Sequence, residues 1–106
     1  MKNSNNEEAK AGILELLSDI TEAHALLVDM QINNDPEFDK FSEELIREVG
    51  EIMRFCFESI ISEASKPKKD FSLIKALIGA YGVAAGTGSV IKTFRFMREE
   101  KQSKEN

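Results

Sequence analysis

Only two prolines occur in this chain, Pro36 and Pro67, and they cut it into three segments, each long enough for an extended helix. A proline inside a helix removes a hydrogen bond and clashes with the preceding turn, so each marks a boundary. Asn33-Asn34-Asp35-Pro36 closes the first segment and opens the second, with Asp35 suited to the N-cap and Pro36 to the first helical position. Lys66-Pro67-Lys68-Lys69-Asp70 ends the second, and Asp70 or Ser72 is expected to cap the third.

Each segment carries a helical repeat. In the first, a capping box at Ser4-Asn5-Asn6-Glu7 precedes Ile13, Leu16, Leu17, Ile20, His24, Leu27 and Val28, spaced at three- and four-residue steps. In the second, Phe38, Phe41, Leu45, Val49, Ile52, Cys56 and Ile60 share a narrow sector, flanked by Glu37, Glu44, Glu48, Glu51 and Glu58. The third has sixteen residues without charge between Lys75 and Lys92. Leu73, Ile74, Leu77, Ile78, Tyr81, Ala84, Ala85, Gly88 and Ile91 form its bulky face. Gly79, Gly82, Gly86 and Ser89 lie roughly opposite, in line with Lys75 and Thr93.

These patterns predict one all-α domain over residues 1–106: three long helices in an antiparallel bundle, at about 6–32, 36–65 and 71–101, with flexible ends at 1–5 and 102–106. A break at Gly86-Thr87-Gly88 would make four helices, since glycine in a helix interior costs about 1 kcal/mol relative to alanine. The uninterrupted phase of the bulky face from Ile74 to Ile91 favours continuity.

Several chemistries are poorly served by these residues. With one cysteine, Cys56, neither an intramolecular disulfide nor a multi-cysteine zinc site can form. With one histidine, His24, sites needing two are excluded. The turn at 33–36 sets His24 roughly 15–20 Å from Cys56 at 1.5 Å per residue, too far for a nucleophile–base pair. His24 is expected to be a packed core residue partnered by Glu44 or Glu48. The glycines match neither a phosphate loop nor a dinucleotide fingerprint. No enzyme, cofactor or metal is therefore expected.

Charge is unevenly distributed beneath a net value of −5. Up to Ser65 there are fifteen Asp and Glu against five Lys and Arg; from Lys66 onward there are four against nine. An acidic chain is a poor nucleic-acid binder, because phosphate neutralisation supplies most of that affinity. The basic third is suited to an acidic partner, an anionic lipid surface or the acidic remainder of its own chain, the last being the leading expectation. The first twelve residues contain no apolar signal-peptide core, and a cytoplasmic location is expected.

Two features are left over: the glycines Gly79, Gly82 and Gly86, and the surplus apolar residues Phe55, Phe57 and Ile61. Both suggest contact surfaces. The leading expectation is a non-enzymatic protein that docks another protein through helix faces and self-associates as a homo-oligomer, of the regulator, inhibitor, immunity or phage-accessory type. The alternative is association with the inner face of a membrane, with the segment from Phe71 to Phe96 as anchor. That segment has Phe71, Phe94 and Phe96 near its ends and Lys75, Lys92, Arg95 and Arg98 at its margins.

Overall fold

The computed structural model describes residues 4–105. It is an all-α bundle of three helices: α1 (Ser4–Ile32), α2 (Phe38–Ala64) and α3 (Phe71–Glu105). The expected flexible ends fall partly outside the described residues, at 1–3 and 106; residues 4, 5 and 102–105 are helical. The expected capping box at Ser4 lies outside the described side chains. Helix α3 runs unbroken through Gly86-Thr87-Gly88, which removes the four-helix alternative.

The first turn is built differently from the N-cap pattern expected at Asp35. Asn34 takes a left-handed backbone (φ 54°). The N–H groups of Asn34 and Asp35 then donate back to the carbonyls of Gln31 and Met30 in a Schellman closure of α1. Asp35 is thus committed to ending α1. Its Oδ1 accepts the Glu37 N–H at 2.8 Å, and its carbonyl accepts the Phe38 N–H. Pro36 consequently sits in the turn, and α2 starts at Phe38, two residues later than expected.

At the second turn Asp70 caps α3, its Oδ1 accepting the Leu73 N–H at 3.1 Å. The Asp70 N–H donates to Glu63 Oε2 at 2.9 Å, so a carboxylate from the end of α2 completes the cap. Lys66 pairs with Glu63 at 2.8 Å, while Asn6 and Lys10 of α1 reach Asp70 Oδ2 at 3.0 and 3.5 Å. All three helices meet there.

The core follows a 3.5-residue repeat. Along α3 its line passes through Leu73, Leu77, Ala80, Ala84, Thr87 and Ile91, and along α2 through Phe38, Ser42, Leu45, Val49, Ile52 and Cys56. Alternating four- and three-residue steps keep long helices in register around one another, which suits a rod of 62 × 21 × 16 Å. Helix α3 packs along both neighbours, whereas α1 and α2 touch each other sparsely. As the shared helix, α3 presents small side chains inward at Ala80, Ala84, Thr87 and Gly88, and a Cβ on Gly88 would stand 3.4 Å from Val49 Cγ1. The buried line of α3 is displaced from the centre of its expected bulky face toward Ala80 and Thr87. Ile78, expected in the core, is 54% exposed.

The polar network at the second turn makes the fold acid-sensitive. The Lys66 ammonium and the Asp70 N–H hold the Glu63 carboxyl below its usual range, and the Leu73 N–H, with Asn6 and Lys10, does so for Asp70. Groups with lowered folded-state values stabilise fully above the unfolded carboxylate range and lose that contribution as pH falls through the folded values. Stability should therefore decline below about pH 4. In a thermal-melt series against pH, Glu63→Gln should be less stable than the parent at neutral pH and show a shallower acid decline. Parallel curves would refute the assignment.

Candidate docking surface

No catalytic constellation emerges from the described residues, and no three His, Cys, Asp or Glu side chains converge as metal ligands would. Cys56 is fully buried, and burial pushes its thiol up, so it behaves as a small neutral hydrophobe. The partner of His24 is neither Glu44 nor Glu48: Nδ1 lies 2.9 Å from Thr87 Oγ1 on α3. Sequence reasoning placed α1 against α2, but α3 occupies the side that His24 faces. Thr87→Val keeps the shape and strips the imidazole of its partner. It should cost about 1–2 kcal/mol in denaturant titration, and an unchanged midpoint would show the contact to be idle.

Two sets of contacts fix the levels of the helices. His24 with Thr87, Gln31 with Arg98 and Asn6 with Asp70 pair α1 to α3 at sequence separations of 63, 67 and 64, so these helices run parallel. Val49 beside Gly88, and Phe38 beside Phe94 at 6.4 Å between ring centroids, set α2 antiparallel to α3. On these registers Phe57 stands level with Ile78, and Ile61 nearly level with Ile74.

The six residues expected to bind a partner separate into two groups. All three glycines, Gly79, Gly82 and Gly86, point outward, with no atom within 4 Å of where a Cβ would stand. They pack against nothing in the bundle. Phe57 and Ile61, 57% and 53% exposed, lie on the side of α2 adjoining α3 and widen the same surface. Phe55 is elsewhere: it lines an apolar cleft of about 490 Å³ between α1 and α2, with Ile13, Leu16, Leu73 and Leu77 around it. Ile78, expected in the core, and Val83 extend the α3 surface, with Phe71 and Phe96, the aromatics expected at the margins of the apolar segment, exposed near its two ends.

Electrostatics reinforce the division. The uncharged stretch between Lys75 and Lys92 covers about 24 Å of helix at 1.5 Å per residue, and its outer side bears no charge. Glu8, Glu15, Asp19 and Glu22 of α1, and Glu44, Glu48, Glu51 and Glu58 of α2, are exposed on the sides of those helices turned from α3. Of the basic third, Lys66 meets the acidic helices, at Glu63 of α2. Among the described residues the ion pairs are Lys10–Glu7, Lys10–Asp70 and Lys66–Glu63, and none involves a cation of α3. The most apolar eighteen-residue stretch of α3 is long enough to cross a membrane, yet only 28% of it is buried in the bundle.

Comparison with known proteins gives no match to a family model, a curated protein or a solved structure.

Proposed function

We propose that this chain is a non-enzymatic docking protein whose working surface is the outer face of α3, widened by Phe57 and Ile61. One observation carries the reading: the longest uncharged stretch of the molecule keeps one side open, with Ile78, Gly79, Gly82, Val83, Gly86 and Ser89 exposed. A core helix would bury such a stretch, and a purely solvated helix would carry charges along it. Exposed glycines at 79, 82 and 86 cost helix stability and fill no internal gap, so the surface is explained better by what it meets outside the bundle.

The buried state of Cys56 provides a direct test, because an introduced cysteine is then the sole accessible thiol. Gly82→Cys fits without displacing any atom. A maleimide should label it rapidly in the purified protein and at least tenfold more slowly in cells expressing it. Leu26→Cys, on α1 in a separate groove toward α2 shared with Met30, Phe41 and Glu44, serves as the control and should label equally in both settings. Equal labelling of Gly82→Cys in both settings would end the docking interpretation.

A further inference from the structure

Resting on that reading, we infer that the occupant of the α3 face is an anionic lipid surface, on which the intact bundle lies flat with α1 and α2 turned to water. The first argument is charge complementarity. Lys75 and Lys92 bound the uncharged face, and Lys68 and Lys69 stand exposed just before Phe71. Among the described residues, neither Lys75 nor Lys92 pairs with a carboxylate. Exposed cations at the ends of an apolar strip, with Phe71 and Phe96 beside them, are the arrangement that holds a helix in the plane of a bilayer interface.

The net charge of −5 does not oppose this orientation. Salt screens charges beyond about 8 Å at physiological ionic strength, and the rod is 16–21 Å thick. Carboxylates on the sides of α1 and α2 turned from α3 therefore contribute little at the lipid surface, whereas the lysines of α3 act at contact.

Two other arrangements fit less well. A second copy would bring an identical face, with lysines opposing lysines. The uncharged face is about 24 Å long and, even with Phe57 and Ile61, no wider than the 21 Å rod, short of the roughly 800 Å² per partner of a stable interface. Spanning the bilayer would require α3 to abandon the contacts of Leu73, Leu77, Ala80, Ala84 and Ile91, or to carry the carboxylates of α1 and α2 into hydrocarbon. Lying on the surface needs neither.

The test uses the full chain, which has no native tryptophan, with Ile78→Trp as reporter and Leu26→Trp as control. Vesicles of phosphatidylcholine containing phosphatidylglycerol are compared with vesicles of phosphatidylcholine alone. The protein should float with the anionic vesicles at physiological ionic strength and stay behind with the neutral ones. Emission from Trp at 78 should shift to the blue, and emission from Trp at 26 should not. Lys75→Gln combined with Lys92→Gln should weaken binding about thirtyfold, from roughly fivefold per lysine at an anionic surface, with helicity by circular dichroism unchanged. Absence of flotation, an equal shift at both reporters, or full binding by the double variant would overturn the inference. If flotation fails while lipid-free protein sediments as a dimer with Trp at 78 shifted, the docking reading stands and a second copy takes the lipid's place. If flotation fails and the thiol at position 82 is unprotected in cells, both fall.

Discussion

Replacing Gly79, Gly82 and Gly86 together by alanine should raise the melting temperature by roughly 12–24 °C. Each substitution recovers the helix propensity that glycine forfeits, about 1 kcal/mol per site, and a domain of this size gains about 4–8 °C per kcal/mol. No steric term opposes the gain, because a Cβ at each position meets open space. Differential scanning calorimetry of the triple variant measures it directly. A lower melting temperature would mean that the outer face of α3 is covered even in the purified protein. The variant also separates occupants. A helix seated against the glycine backbone would be displaced by three methyl groups, whereas a lipid surface would bind the variant at least as well as the parent.

The second large effect is expected at Phe38. Its ring is fully buried, lies 6.4 Å from that of Phe94, and has the Arg98 guanidinium 3.9 Å above its centroid. Arg98 also donates from Nε to Gln31 Oε1 at 2.8 Å, so this cluster ties all three helices together at the end remote from Asp70. Phe38→Ala should cost about 3–5 kcal/mol, a large part of the 5–15 kcal/mol typical of a domain. It also takes away the ring beneath a cation whose Nη2 is buried without another partner. Phe55→Ala removes the same side chain from a site 55% exposed and should change stability by less than about 0.5 kcal/mol. Urea titrations of the pair would discriminate, and a comparable loss in both would contradict the burial pattern.

Much of the architecture was legible in the residue order because its determinants are local. Proline positions and three-to-four spacing specify the helices wherever they pack, and the exposure of Gly79, Gly82 and Gly86 followed from the phase of α3. What could not be read depended on which helix sits between the other two. The partner of His24 was sought on α2 because the turn at 33–36 is short. Nothing in local sequence says that α3 lies on the side His24 faces, or that Thr87 stands level with it. Ile78 was assigned to the core for the same reason: small side chains at Ala80 and Thr87 look like weak core formers until two neighbours press against them. Glu63 escaped notice because its role, completing the Asp70 cap seven residues later, exists only once the second turn has closed.

The parallel course of α1 and α3 has a further electrical consequence. Two helices point one way and α2 the other, so one helix macrodipole is left uncompensated along the rod. The positive pole falls where α1 and α3 begin, and there the carboxylates Glu7, Glu63 and Asp70 are gathered. Toward the negative pole, along the last turns of α3, stand Arg95, Arg98, Lys101 and Lys104. Glu99 and Glu100 are interleaved with these cations, as Lys10, Lys66, Lys68 and Lys69 are with the carboxylates, so side chains of both signs stand at each tip. What remains unbalanced is the contrast across the rod, between the acidic sides of α1 and α2 and the lysine-bounded face of α3. A charged surface approaching this molecule would therefore exert a torque about its long axis, rolling it to one side before contact, with little preference for either tip.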